Sequence, residues 1–251
     1  MITKRIQAAV LPAAFLALCA TTAVAADEKP EQFIYATYHY CGFSQQDRAD
    51  ALWQQGQKPA YDAAIKDGTI TSYGWLKHQT GGKWRRADYF TAGSVQALLD
   101  AQEKMNAPGD AKRDKMFQEF GGLCSEHDDY IWHAVAGNIG TTTRGGAAFS
   151  TYYVCDQGRE ARADEIVKKD LAPIFDKLMS DGKLMSWGWV EHIVGGEYRR
   201  LATMSAKDVK SLMEARGAVV EALDSNPAGD LLTEICPSHS DYIWEIEAQA
   251  P

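Results

Sequence analysis

The sequence predicts an α+β protein built from two copies of one strand-helix-strand-strand-helix-strand unit, and three observations support this. First, Cys41 returns as Cys155 at an offset of 114 positions (155 − 41), and the residues that follow match at that offset without a gap. Second, residues 124–132 return as 236–244 at an offset of 112 positions (236 − 124). Third, both copies show strand-like and helix-like hydrophobic patterns in one order. A repeated sequence unit indicates a repeated structural unit.

The first copy begins with a strand and a helix. Residues 33–41 are rich in Tyr, Ile and Thr and are followed by Gly42, which is typical of a strand and its end. Residues 47–66 carry apolar side chains at helical spacing. Pro59 lies inside this segment, so we expect a kink or two shorter helices.

A hairpin, a second helical region and a last strand complete the copy. Gly81-Gly82 predicts the hairpin turn, and Ser94 is a suitable N-cap for the second helix. The predicted elements are strands at 70–79 and 83–90, a helix from Ser94 to Met105, a helical turn or two at 112–120 and a strand at 129–135.

The second copy repeats this order after a Gly- and Thr-containing linker. We expect repeat 1 over residues 26–136, the linker over 137–147 and repeat 2 over 148–251. Within repeat 2 the predicted elements are strands at 149–155, 184–194, 197–202 and 242–247 and helices at 161–180 and 205–223.

This element order is the ferredoxin-like plan, in which the last strand lies antiparallel beside the first. Cys41 ends the first strand and Cys124 precedes the last, so antiparallel neighbours bring them within disulfide range. The plan therefore predicts Cys41–Cys124 and, in repeat 2, Cys155–Cys236. Without Cys19, which lies in the N-terminal segment expected to be removed, four cysteines remain and allow three pairings, and free buried thiols are the alternative.

The N-terminal residues have the features of a signal peptide. Lys4 and Arg5 precede an apolar run at 8–20, and Ala23-Val24-Ala25 fits a cleavage site. We expect cleavage after residue 25 and a periplasmic or secreted mature protein with no stable membrane anchor. A lipoprotein attached through Cys19 and an uncleaved anchor are the alternatives.

Charge and motif content exclude several classes of function. The net charge is −8 and no stripe of Lys or Arg stands out, so we expect no nucleic-acid partner. The nucleophile elbow, the phosphate loop, the dinucleotide fingerprint and the zinc-protease helix motif are all missing from the sequence. This disfavours the common hydrolases, kinases, dehydrogenases and zinc proteases.

Two ferredoxin-like units on one chain resemble the dimeric α+β barrel superfamily, in which two such sheets pack face to face. The resemblance covers nearly the whole mature chain and rests on element order. It implies that the sheet faces without helices cover each other, and two independent domains are the alternative. Aromatic residues alternate with glycine and aliphatic residues in the second strands and are the ligand-binding candidates: Tyr73, Trp75, Trp187 and Trp189.

Three histidines are candidate catalytic residues. His78 and His192 occupy equivalent positions late in the second strands, as cavity bases, cofactor ligands or hydrogen-bonded structural residues. His39 has no copy, because repeat 2 carries Tyr153 there. A duplicated scaffold can specialise one cavity at such a position. We therefore look for a site first in the cavity of repeat 1 that would contain His39 and His78.

Four arginines follow the hairpin turns, and one of each adjacent pair should face inward. An inward arginine would bind a ligand carboxylate or phosphate, or form an ion pair with a nearby aspartate. The candidates are Arg85, Arg86, Arg199 and Arg200. His127-x-Asp129 and His239-x-Asp241 are weak metal signals, and no third ligand stands at a diagnostic spacing, so no metal is expected.

The favoured function is the binding of a small apolar or aromatic ligand, or of a partner, by an exported barrel module. The resemblance supplies an alternative, because the superfamily includes cofactor-independent oxygenases, haem-degrading enzymes and small-ring isomerases, in which a cavity histidine would act. A purely structural protein is the third hypothesis. The cofactor and the oligomeric state are left open.

Overall fold

A computed structural model of the protein describes residues 30–139 and 144–250. The predicted signal peptide and residues 140–143 of the predicted linker lie outside the described residues. Within the described part of the chain, no helix is both long and apolar enough to cross a membrane.

The first half contains four strands and the helices that pack on them. A single 3₁₀ turn, Phe43–Gln45, precedes α1, and a π-helical segment, Trp53–Gln57, joins α1 to α2. The elements are β1 Phe33–Tyr40, α1 Gln46–Leu52, α2 Lys58–Lys66, β2 Ser72–Gly81, β3 Arg86–Ala92, α3 Val95–Asn106, α4 Ala111–Leu123 and β4 Glu126–Gly137.

The second half follows the same order. A second π-helical segment, Val167–Leu171, joins α5 to α6. The elements are β5 Ala147–Val154, α5 Glu160–Ile166, α6 Ala172–Ser180, β6 Ser186–Val194, β7 Arg200–Ala206, α7 Val209–Asp224, α8 Pro227–Ile235 and β8 Ser238–Ala250.

Local signals account for most of the helix boundaries. Pro59 lies in the first turn of α2, where its missing N–H costs nothing, so the predicted division into two helices is confirmed. The Ser94 hydroxyl accepts a hydrogen bond from the N–H of Ala97 and caps α3, as predicted. The predicted start of the helix at Ser205 is wrong, because Ser205 still belongs to β7 and Asp208 caps α7.

One helix of the second half was not predicted. The sequence predicts no element between residues 223 and 242, yet α8 begins at Pro227. Its cap is Asn226, whose side chain accepts from the N–H of Ala228, and proline is favourable in a first helical turn.

The eight strands close into one barrel in the order β1-β3-β2-β8-β5-β7-β6-β4. All the strand pairs are antiparallel. Each half contributes a four-stranded ferredoxin-like sheet, and the sheets join edge to edge at β2–β8 and β4–β6. Closure pairs every strand on both sides, so no open edge remains. The predicted α+β barrel is confirmed, and the alternative of two independent domains is wrong.

Each sheet has one face towards the barrel interior and one towards its helices. In β1, Ile34, Ala36 and Tyr38 belong to the core inside the barrel, whereas Tyr35 and His39 lie on the helical face. Two further cores lie between each sheet and its helices. The site described below lies on the helical face of the first sheet.

Both predicted disulfides are present. Cys41 directly follows β1 and bonds to Cys124 at the end of α4, and Cys155 bonds to Cys236 in the same way. They span 83 and 81 residues of sequence. Closing loops of this length restricts the unfolded chain and contributes about 4 kcal/mol per bond in the chain-entropy account.

Candidate functional site

A buried chain of three polar side chains lies on the helical face of the first sheet. The Nε2 atom of His39 lies 2.7 Å from Oδ1 of Asp88, and the Tyr61 hydroxyl donates to Oδ2 of the same carboxylate. His39 in β1 is directly opposite Arg86 in β3, so Asp88 is its diagonal neighbour on the same face. Tyr61 reaches the carboxylate from α2. Strand register therefore places the pair, and the helix adds the third member.

The hydrogen bonds define the protonation of this chain. Asp88 accepts from both sides, so the hydrogen bond places a ring proton of His39 on Nε2. Among the described residues, no group bonds to Nδ1. Burial, followed by the charge of Asp88, raises the pKa of Tyr61 well above its usual range, so the phenol stays a donor. An imidazole oriented by a carboxylate in this way can accept a proton at its other nitrogen when it is in the neutral form.

The imidazole lines a cavity of about 280 Å³ between the first sheet and the helices α2, α3 and α4. Its walls combine three phenylalanines, Phe90, Phe117 and Phe120, with polar side chains. Gln102 donates to the hydroxyl of Tyr35 at 2.6 Å. Burial, and next the charge of Asp129, raises the pKa of Tyr35, so this hydroxyl also stays protonated. The cavity therefore offers aromatic walls, hydrogen-bonding groups that include two tyrosine hydroxyls, and the imidazole of His39.

The second half places different residues at the equivalent positions. Tyr153 stands for His39 opposite Arg200, and Ala202 stands for Asp88 opposite Thr151. Phe175 occupies the position of Tyr61 at the repeat offset. The ring of Tyr153 packs 5.6 Å from that of Trp189. The imidazole–carboxylate–phenol chain therefore belongs to the first half alone.

His78 does not share this cavity with His39. It lies at the end of β2, donates through Nε2 to the carbonyl of Gly81 at 2.9 Å, and accepts through Nδ1 from Arg85 at 3.1 Å. The imidazole of His78 packs edge-on against the rings of Tyr242 and Trp244 in the barrel core. Burial, and then the charge of Arg85, lowers the pKa of His78. The same hydrogen bonds support a structural role beside the hairpin turn.

His192 repeats the arginine contact in the second half, but its Nε2 has no hydrogen-bond partner among the described residues. Its Nδ1 accepts from Arg199 at 2.8 Å, and Arg199 also pairs with Glu160 at 2.7 Å. Burial, with the charge of Arg199 next, lowers the pKa of His192. Both histidines are therefore neutral imidazoles held by an arginine at neutral pH.

Arg86 and Arg200, proposed from the sequence as ligand-binding residues, lie in buried ion pairs. Arg86 binds both carboxylate oxygens of Asp50 at 2.5 and 2.7 Å, and Arg200 binds Asp164 at 2.7 and 2.8 Å. This is the ion-pair alternative that the sequence left open. The bidentate geometry ties α1 to β3, and α5 to β7, across each core.

The four aromatic ligand candidates of the second strands face the helices and belong to the cores there. The indoles of Trp75 and Trp189 donate to Asp50 and Asp164 at 3.0 and 2.7 Å. The remaining two make similar bonds to helix residues: Tyr73 to Asp62 and Trp187 to Asp176. The barrel face carries their glycine and aliphatic neighbours, while other aromatic rings fill the interior: Tyr38, Trp84, Tyr130, Trp132, Tyr152, Tyr242 and Trp244.

The His-x-Asp pairs at the start of β4 and β8 are surface features. His127 lies 3.1 Å from Asp129 and His239 lies 3.6 Å from Asp241, and all four side chains are at least a third exposed. No group of three potential metal ligands occurs within residues 30–139 and 144–250. His127 and Asp129 also line the cavity of His39, which sequence spacing alone did not indicate.

Comparisons with known proteins identify similar folds among solved structures but no matching family. No family model matches the chain, and no curated protein matches it. A solved structure of a proposed monooxygenase from Lactobacillus acidophilus matches with a TM-score of 0.61 and 8% identity, over 87% of this chain and 95% of that one.

Two further solved structures match over similar lengths. A proposed chlorite dismutase has a TM-score of 0.53 and 6% identity, over 88% of this chain and 96% of that one. An anthrone oxidase-like protein has a TM-score of 0.51 and 10% identity, over 89% and 94%. At these identities the likeness shows the shared dimeric α+β barrel fold.

Proposed function

We propose that the protein is an enzyme that removes a proton from a small, flat ligand in the first-half cavity, with His39 as the base. The observation that carries the proposal is the buried His39–Asp88–Tyr61 chain, whose histidine keeps Nδ1 unbonded among the described residues and lines a 280 Å³ cavity. The monooxygenase and oxidase names of two structural neighbours are consistent with such chemistry.

The proposed step is a single proton transfer. An acidic O–H or C–H bond of the ligand breaks, its electron pair stays on the ligand, and the proton bonds to Nδ1 of His39. Asp88 then faces an imidazolium through the existing 2.7 Å hydrogen bond and stabilises its charge. Tyr61 holds the second carboxylate oxygen of Asp88, so the carboxylate keeps its orientation.

The lining of the cavity indicates the class of ligand. Its volume lies just below the range of about 300–1,000 Å³ that is usual for drug-sized ligands. Phe90, Phe117 and Phe120 suit a flat aromatic or enolisable molecule. The Tyr35 hydroxyl, which Gln102 already holds, can donate to a ligand oxygen that gains negative charge.

Haem does not fit the residues of this cavity. A haem needs an open slot for its macrocycle and a free ring nitrogen as axial ligand. Nδ1 of His39 is unbonded among the described residues, but the volume of about 280 Å³ is too small for the macrocycle. No step of the proposal therefore uses haem.

Simple binding without chemistry is the second candidate for the same cavity. It accounts for the aromatic walls and the polar groups, and it leaves the Asp88 carboxylate as a structural partner of His39. Turnover separates the two candidates, because a binding protein would hold the same ligands without accelerating proton exchange.

The experiment is deuterium exchange at the α-carbon of 2-tetralone, a flat enolisable ketone, followed by proton NMR in D₂O. We expect saturable acceleration by the mature protein and a loss of about 10²–10⁴-fold in His39→Gln. Tyr153→Phe, at the equivalent second-half position, is the matched control and should keep the rate. Saturable binding without acceleration would support the binding candidate, and full activity in His39→Gln would refute the role of His39.

The proposal includes export of the protein from the cytoplasm. Two disulfides are typical of an oxidising compartment, so the mature protein should work in the periplasm or outside the cell. Mass spectrometry of the secreted or periplasmic form should give a chain that starts at residue 26 and lacks four mass units of thiol hydrogen, one per cysteine in the two bonds.

A further inference from the structure

The two ends of the barrel interior differ. Towards the hairpin turns, Trp84 and Tyr198 pack among the rings of the strands and fill the space; Trp84 lies 4.2 Å from Tyr38 and 5.0 Å from Tyr242 between ring centroids. Towards the other end, a cavity of about 90 Å³ remains. Its wall combines aromatic rings with aliphatic side chains, among them Ile34, Ala36, Leu76, Val190, Leu201 and Ile246.

Arg144 lines this apolar cavity and has no acidic partner among the described residues. Its guanidinium carbon lies 4.5 Å from the centroid of the Tyr89 ring, and its main-chain N–H donates to Gln249, which is its one hydrogen bond to the part of the chain that the structure describes. By contrast, the buried Arg86 and Arg200 each hold an aspartate. Stacking on an aromatic face leaves the N–H edges of a guanidinium available for a planar anion.

One acidic residue, Asp88, also lines this cavity, and both of its carboxylate oxygens are bonded to His39 and Tyr61 on the opposite face of the sheet. Ser186 and Ser205 bond to each other at 2.6 Å. Among the described lining residues, Arg144 is therefore the one cation, and its guanidinium has no direct bond to the one carboxylate.

We propose that this end of the barrel binds a short aliphatic monocarboxylate, with its carboxylate on Arg144 and its hydrocarbon chain in the pocket. A volume of about 90 Å³ equals that of roughly three water molecules, which suits a chain of about three to five carbons. The ring packing around Trp84 excludes longer chains. The pocket lies on the opposite face of the first sheet from the His39 cavity, shares only Asp88 with it among the described lining residues, and takes no part in the proposed proton transfer.

The test is calorimetric titration of the mature protein with butyrate, butyramide and octanoate. We expect saturable binding of butyrate alone, because butyramide lacks the charge and octanoate exceeds the pocket. Arg144→Gln should weaken butyrate at least about tenfold, the value of a charge-assisted pair. Arg162→Gln, which removes an exposed arginine charge on α5, is the matched control and should bind like the unchanged protein.

Two results would overturn the proposal. One is the absence of saturable butyrate binding to the unchanged protein. The other is an equal butyrate affinity in Arg144→Gln and in the unchanged protein. Thermal unfolding of Arg144→Gln checks that the variant is folded. His39→Gln should keep full butyrate affinity, so failure of this site and failure of the proton-transfer site are distinguishable.

Discussion

His39 and Asp88 meet at 2.7 Å on the helical face of the first sheet, where the second half carries Tyr153 and Ala202 on the same register. The same scaffold thus carries a polar pair in the first half, and a tyrosine and an alanine at the equivalent positions of the second half. The neighbouring ion pairs Arg86–Asp50 and Arg200–Asp164 occur in both halves, so this part of the scaffold is shared.

Asp88 should set the tautomer of His39. In Asp88→Asn we expect the ring proton to redistribute between the two nitrogens, because the anionic acceptor at Nε2 is lost. Nitrogen-15 NMR of the imidazole measures this, and the 2-tetralone exchange rate should fall about 10²-fold or more. Asp241→Asn, beside the exposed His239, should change neither quantity. An unchanged His39 spectrum in Asp88→Asn would contradict the assigned hydrogen bond.

Gly82 should tolerate no side chain, because the Tyr242 hydroxyl occupies the space. A Cβ atom at Gly82 would lie 1.9 Å from that hydroxyl oxygen, whereas a Cβ at Gly93 meets nothing within 4 Å. Gly82→Ala should therefore lower the free energy of unfolding by about 1–3 kcal/mol, a typical cost of overpacking. Gly93→Ala serves as the control in the same urea titration. Equal stability of the two variants would show that Tyr242 moves aside without cost.

The disulfide Cys41–Cys124 should matter for both stability and the cavity. The paired replacement Cys41→Ser with Cys124→Ser should lower the free energy of unfolding by about 2–5 kcal/mol. Because Cys124 also lines the cavity of His39, the variant should bind 2-tetralone more weakly. The corresponding change at Cys155 and Cys236 should lower stability by a similar amount and leave binding unchanged. Equal binding in both variants would contradict the coupling.

Stability should fall on acidification partly through His78 and His192. Burial, with a nearby arginine charge, lowers the pKa of both imidazoles in the folded state, so below about pH 6.5 the unfolded chain binds more protons. The free energy of unfolding therefore decreases as the pH falls through that value. Urea titrations at pH 7.5 and 5.5 should show a smaller decrease in the double variant His78→Gln with His192→Gln. An equal decrease would assign the acid sensitivity to other groups.

Much of the architecture followed from local and repeated patterns. Ser94 before an apolar helical pattern, Pro59 inside a helix and the glycine pairs of the hairpins each act through neighbouring backbone, so sequence reveals them. The disulfide pairing followed from the order of elements, because antiparallel first and last strands bring Cys41 to Cys124. The sequence also indicated His39 as a candidate, because repeat 2 carries Tyr153 at the equivalent position, but it did not indicate Asp88 or Tyr61.

The tertiary structure alone decided which residues share a face and a cavity. The strands of a closed barrel covered by helices are buried on both faces, so hydrophobic alternation does not reveal which side meets the helices. Trp75 therefore faces the helices, and His78 is separated from His39 by the sheet. Asp88 and Tyr61 are 49 and 22 residues from His39 in sequence (88 − 39 and 61 − 39), and only strand register and helix packing unite them. Long-range placement of this kind depends on the closed sheet, whereas caps and turns depend on their neighbours in the chain.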